Sequence, residues 1–402
     1  MVCIASRSRL GLGRAVVAAL ALTMLSAGGA AADDQPNASA DGKMTVKVGL
    51  IGPKTGAAPQ YWEVLRNGFQ LGVDDFADQY KIAVEIVEAD DKGSPETASR
   101  EVQRLLNQED VDVIFGPAQS GPSAQVAETI QRTGRPWMVP IAAADSIINP
   151  KASPNWAFRT NNNNAQAFEV TGQYLFRDGA KVGLIYSADG YGQSNLAEIE
   201  AYAKKNGYQL AASQAVQPAA PDMTAAVREM RSAGVDTLYI ATTAGADAAT
   251  IVKAMEQLSF APKRLLAAPT VLQGFTDFIT ASQRENLQFV DSRDLTSASV
   301  QDLVKAYEKK FGKKPPYDTA LFSTYTAVRV YLQGAAAAGN AKDRDQVRNA
   351  IEKLPSVEIN GVTWNNPFSA TDHELYDADP TRWFLHGFDP QGKVMTIGPM
   401  AK

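Results

Sequence analysis

The sequence predicts an α/β protein: two doubly wound parallel-sheet lobes with a ligand cleft between them. Three observations predict it. From Val46 onward, short β-branched runs alternate with amphipathic helical patterns, as in a parallel sheet covered by helices on both faces. The alternation restarts after a run of asparagines, Asn161 to Asn164, so a second unit follows the first. The stretch from Val111 to Pro140 reads as strand, Gly116-Pro117 turn, Ser/Gly-rich helix start, helix and strand. Such a unit aims free backbone N–H groups and the Ser120 hydroxyl at the carboxyl edge of a sheet, where these folds bind small, often anionic ligands.

Each element has its own warrant. Val46–Ile51 is an apolar strand, Trp62–Gln79 has helical periodicity, and Ile82–Glu88 alternates apolar and polar residues. Ser94–Gln108 is helical, with Ser94 as N-cap and Thr97, Val102 and Leu105 on one face. Val111–Phe115, Ser120–Thr133 and Trp137–Pro140 complete the first unit. The asparagine run is a loop or cap signal. The second unit follows as helix 165–177, strand 181–186, helix 193–206, strand 210–215, helix 223–233, strand 237–240, helix 247–258 and strand 265–267. A strand at 287–291 leads into helices over 297–311, 319–338 and 343–354, with Gly312–Pro316 as a tight break. The tail holds short strands. This pattern leaves open how often the chain crosses between lobes.

Composition bounds the function classes. Arg7, Arg9 and Arg14, the apolar run Ala15–Leu25 and Ala30-Ala31-Ala32 read as a secretory signal over residues 1–32. Residues 33–43 read as a small, polar leader. No later run is apolar enough to span a bilayer, so no membrane insertion is expected after cleavage. The sole cysteine, Cys3, lies in the signal, which excludes disulfides, thiolate metal sites and a cysteine nucleophile from the mature chain. Beyond Ala32 stand 36 basic and 44 acidic residues, a net of −8, which argues against nucleic acid as a partner.

The chain offers little for catalysis. Its two histidines, His373 and His386, lie in the irregular tail and read as structural. No Gly-x-Ser-x-Gly elbow is present. Gly52-Pro53-Lys54-Thr55-Gly56 fails the phosphate-loop spacing, because its lysine precedes the second glycine. Asp90-Asp91 reads as a solvated strand end, the alternative being a metal or acid pair. The expectation is a non-enzyme with no metal and no cofactor.

At this point the residues resemble a family, the type I periplasmic solute-binding proteins of ABC importers, in particular the branched-chain amino-acid-binding group. The resemblance rests on order and spacing: Gly49 and Gly52, Thr55-Gly56, Tyr61, Gly68, Asp90-Asp91, Gly116-Pro117 with Ser120, Pro140, Phe158-Arg159-Thr160, Tyr191-Gly192, Asp236, Tyr307, Phe311-Gly312 and Pro315. It implies two lobes joined by three crossings that close on ligand. One lobe would comprise residues 44–160 plus 291–364 and the other 161–290 plus 365–402. It implies that Ser120 and Gly121 hold a ligand carboxylate, the alternative for Ser120 being a simple helix cap. Tyr61 and Tyr191 would supply aromatic walls, with Trp62 beside them, and Ile141, Ala143, Thr243 and Thr270 would complete the cleft. Ala143 and Thr270 stand where amino-acid binders of the family hold the ligand ammonium, so the resemblance points to a carboxylate with an aromatic or apolar body. A branched-chain amino acid remains the alternative, with Asp145 as acceptor for the amine. The implied partners are a small-molecule ligand and an inner-membrane ABC permease, with the protein periplasmic and monomeric. A ligand-sensing subunit of a membrane receptor would carry the same sequence features.

Overall fold

A computed structural model describes residues 42–56, 58–268, 275 and 278–401. The signal segment, most of the leader and Thr270 lie outside the described residues.

The first sheet contains β1 (Met44–Gly52), β2 (Ile82–Asp90), β3 (Val113–Phe115), β4 (Trp137–Val139) and β5 (Ala157–Arg159). All pair in parallel in the order β2-β1-β3-β4-β5. Between them run α1 (Pro59–Phe76), α2 (Pro95–Asn107) and α3 (Ser120–Thr133). Strand alternation sorts side chains to two cores. Val113 and Phe115 pack with Leu65 and Phe69 of α1, while Ile114 packs with Leu105 of α2 and Ile130 of α3.

The second sheet contains β6 (Val182–Ser187), β7 (Ala212–Val216), β8 (Thr237–Ala241), β9 (Arg264–Ala267) and β10 (Leu287–Asp291). Their helices are α4 (Asn164–Leu175), α5 (Gly190–Lys205), α6 (Thr224–Ser232), α7 (Gly245–Gln257) and the short α8 (Ala281–Arg284). These strands follow the parallel order β10-β9-β8-β6-β7. The tail adds two antiparallel strands, described below, at the β10 edge.

After β10 the chain returns to the first lobe. There α9 (Ala298–Phe311), α10 (Asp318–Ala338) and α11 (Arg344–Glu352) are followed by a hairpin of β11 (Ser356–Ile359) and β12 (Val362–Asn365). Helix α10 lies along α1, where Gly72 allows the approach: a Cβ there would stand 2.8 Å from that of Val328. Phe368, Leu375 and Tyr376 are buried in this same core, although the sequence reading divides the lobes at Trp364. The chain then crosses to the second sheet as β13 (Phe384–Phe388) and β14 (Val394–Pro399).

Each sheet reverses its winding at its second strand, and a crevice opens at the carboxyl ends there. In the first sheet that point lies between β1 and β3, and in the second between β6 and β8. The loops that follow those strands form the walls of the cleft.

Candidate ligand cleft

The first wall is the start of α3. Its N-cap residue, Gln119, makes no side-chain capping bond, and Pro122 has no N–H. The Ser120 and Gly121 amides therefore remain without acceptors among the described residues. Ser120 is the first residue of the helix and does not cap it. Its Oγ instead accepts from the N–H groups of Ala143 and Ala144, each at 3.3 Å. Those two bonds occupy the oxygen's lone pairs and leave the hydroxyl proton to donate. A helix N-terminus also carries roughly half a positive charge. The wall is thus a donor set fitted to an anionic oxygen.

The opposite wall comes from the second lobe. Asp189 caps α5, its Oδ1 accepting from Tyr191 and Gly192 N–H at 3.0 Å each. Its Oδ2 accepts from the Thr243 hydroxyl at 2.5 Å, and Thr243 N–H donates to Ser187 Oγ at 2.9 Å. Asp247, in the first turn of α7, uses Oδ1 to accept from Ala219 N–H at 2.9 Å. Burial raises its pKa, and neighbouring Asp189 adds to the rise.

The lobes touch across the cleft. Tyr61 Oη donates to the carbonyl oxygen of Thr243 at 2.8 Å. Its ring stacks on Tyr317 with centroids 4.8 Å apart, and burial pushes the Tyr61 phenol well above its ordinary pKa, so it acts as a neutral donor. Gly190 lies against the backbone of Gly121. Between the walls is a cavity of 530 Å³, within the usual size range of small-molecule sites. Tyr61, Tyr191, Tyr239 and Tyr317 supply its aromatic surface.

A family model for periplasmic binding proteins matches residues 45–378. The chain belongs to that family. Among curated relatives, the Leu/Ile/Val-binding protein BraC3 of Rhizobium johnstonii is 23% identical over 347 residues, covering 82% of this chain and 90% of that protein. The type 1 periplasmic binding protein of Bordetella pertussis superposes with a TM-score of 0.77 at 24% identity, covering 88% of this chain and 100% of that one. A solute-binding protein of an ABC transporter from R. palustris, solved in complex with benzoate, gives 0.75 at 21% identity, covering 89% and 96%.

Of the residues this periplasmic binding protein's sequence singles out, Tyr61, Ser120, Gly121, Ile141, Ala143, Tyr191 and Thr243 line the cavity. Trp62 does not. It packs on the first-lobe core and beside Gly52, with Lys54 Nζ 5.6 Å from its ring. The reason is helical geometry: adjacent residues point about 100° apart, so the helix that turns Tyr61 inward turns Trp62 away. Asp145, the proposed amine acceptor, also lies off the cavity. Its carboxylate accepts from Ala165 N–H at 3.2 Å and Ser194 Oγ at 3.3 Å. Both histidines are framework residues. His373 Nδ1 bonds the Ala157 carbonyl and its ring stacks on Phe158, while His386 Nε2 bonds the Arg293 carbonyl.

The sequence reading missed Asp189, Asp247, Tyr239 and Tyr317 as wall residues. Only Asp189 carried a readable signal, an Asp placed as N-cap directly after a strand. Among the described residues no group of three or more His, Cys, Asp or Glu is placed to hold a metal, and no helix is long and apolar enough to cross a membrane.

Proposed function

We propose that this chain is the solute-receiving component of an ABC importer. It captures a small organic acid with an aromatic or apolar body in the periplasm and presents it to an inner-membrane permease. The observation that carries this reading is the unspent donor set at the start of α3, Ser120 hydroxyl and amide with the Gly121 amide, in a cavity walled by tyrosines. A carboxylate there would meet charge-assisted bonds, and rigid aromatic rings would cover its body at little cost in rotamer entropy. A benzoate-bound relative is in keeping with that chemistry. We also propose that the protein acts as a monomer without a cofactor or catalytic step, and that its lobes divide where the chain passes between the two sheets.

A branched-chain amino acid is the second reading, favoured by the names of the curated relatives and by Asp189, a carboxylate on the second wall. In this reading Asp189 takes the amine role that the sequence assigned to Asp145. Calorimetric titration with benzoate, 4-hydroxybenzoate, leucine, isoleucine and valine separates the two. Binding of an aromatic acid with silence toward the amino acids supports the first, and the reverse pattern replaces it with the second.

A further inference from the structure

The three passages between the lobes meet at one side chain. The chain leaves the first sheet after β5 through Asn161 and Asn162, leaves the second after β10 through Asp291–Arg293, and departs the first-lobe core after Tyr376. Arg293 Nε donates to Asp291 Oδ1 at 2.6 Å. One terminal nitrogen donates to the Thr319 carbonyl at 3.1 Å and to Ser323 Oγ at 2.5 Å, both on α10. The other reaches Asn161 Oδ1 at 3.1 Å, Asn162 Oδ1 at 3.3 Å and Asp291 Oδ2 at 3.4 Å. The guanidinium lies 5.3 Å from the ring centre of Tyr376. Arg293 borders the floor of the cleft, yet all of its nitrogens already have acceptors, so it has no donor to spare for a ligand.

The two ends of this residue belong to different lobes. Its backbone carbonyl accepts from His386 on β13, 3.0 Å away, in the second sheet. Its guanidinium is anchored on α10, in the first-lobe layer. Arg293 is 6% exposed and Asp291 is fully buried. A buried ion pair adds little net stability over apolar packing. What a planar, five-donor fork does supply is fixed direction, which a lysine cannot reproduce. Any rotation of one lobe against the other must turn the Arg293 backbone relative to Ser323 and Thr319.

We infer that Arg293 is a positioning residue for ligand capture, the pivot that confines lobe motion to one axis and limits how far the ligand-free cleft opens. This rests on the reading that the lobes close around a solute. The test needs no ligand, so its failure is distinct from failure of the ligand assignment. Spin labels are placed at Glu128→Cys on α3 and Lys204→Cys on α5 in the full chain carrying Cys3→Ser. Distances are then measured by double electron–electron resonance in the parent, Ser323→Ala and Arg293→Lys proteins. Ser323→Ala removes one first-lobe anchor and leaves the Asp291 pair intact. The expected result is a distance distribution roughly twofold broader and shifted to longer separations in Ser323→Ala, and broader still in Arg293→Lys. Thermal unfolding is measured alongside, and Ser323→Ala decides the matter should Arg293→Lys not fold. An unchanged distribution overturns the proposal. A lowered unfolding temperature with unchanged distances does so as well, because it leaves Arg293 as a folding residue only.

Discussion

Gly190 and Gly121 meet backbone to backbone across the cleft. A Cβ on Gly190 would stand 2.7 Å from the Gly121 Cα and 2.9 Å from its nitrogen. These are main-chain atoms at two helix starts and cannot swing aside as a side chain could. Gly190→Ala should therefore hold the lobes apart and weaken ligand binding by roughly 1–3 kcal/mol, the usual cost of overpacking. The first turn of α5 accepts alanine, so the unfolding temperature of the ligand-free protein should barely move. Titration and thermal unfolding of the variant check both halves, and full affinity would show that closure tolerates the added methyl group.

The neighbouring positions Tyr61 and Trp62 should behave oppositely. Tyr61→Phe deletes the bond to the Thr243 carbonyl and should cost about 0.5–1.5 kcal/mol of binding, the net worth of one such bond. Trp62→Ala should lower stability through lost packing and leave affinity where it was. Calorimetry on the two variants, with the compound that binds the parent, gives the comparison.

Ser120→Ala removes the free hydroxyl donor and the acceptor used by Ala143 and Ala144. Binding of a carboxylate should weaken by roughly 1–3 kcal/mol. A neutral amide analogue of the same ligand should lose less. If acid and amide lose affinity equally, the hydroxyl does not read the charged oxygen.

Asp91 gives a pH signature. It is fully buried; Oδ1 accepts from Gly93 N–H at 2.7 Å while Oδ2 has no partner. Burial, with a smaller push from Asp90, raises its pKa to about 7. Unfolded, it returns to about 3.9. Between those values the unfolded chain has released a proton that the folded chain keeps, so this residue makes stability fall as pH rises from about 4 to 7 and adds no further slope above. Asp91→Asn keeps the Gly93 bond and cannot ionise. Its stability relative to the parent should improve across that window by roughly 3 kcal/mol. Denaturant unfolding at pH 4.5, 6 and 8 measures the gap; a constant gap rules out this residue as the source.

The parts that were legible in the sequence are those with a period or a local cap. Ser94 reads as an N-cap and its Oγ does accept from Thr97 N–H. The asparagine run reads as loop and cap; Asn163 caps α4 in a reciprocal bond with Gln166, and Asn161 and Asn162 serve Arg293 instead. The fold follows from such signals because alternation at every second or every 3.6 residues is repeated many times. The cleft does not, because each wall residue is a single position in a connection. Whether Asp145 or Asp189 faces the cavity depends on the path of a few loop residues, and no periodicity records it. Ser120 is legible from its place at a helix start, but that its oxygen serves Ala143 and Ala144 depends on the turn after Pro140 in three dimensions.

The pairing of α1 with α10 has a consequence for how the chain comes together. Tyr325 on α10 donates to Asp75 on α1 at 2.7 Å, although 250 residues separate them. As the polypeptide is made from its N-terminus, the flank of α1 that carries Gly68 and Gly72 therefore waits for α10, although Leu65 and Phe69 already have Val113 and Phe115 of the sheet to pack on. The first lobe cannot finish early, whereas β6 to β10 are continuous in sequence and their core lacks only tail residues such as Trp383 and Leu385. Contacts so distant in sequence slow folding, so the layer that α1 and α10 build together is completed only once α10 has been made.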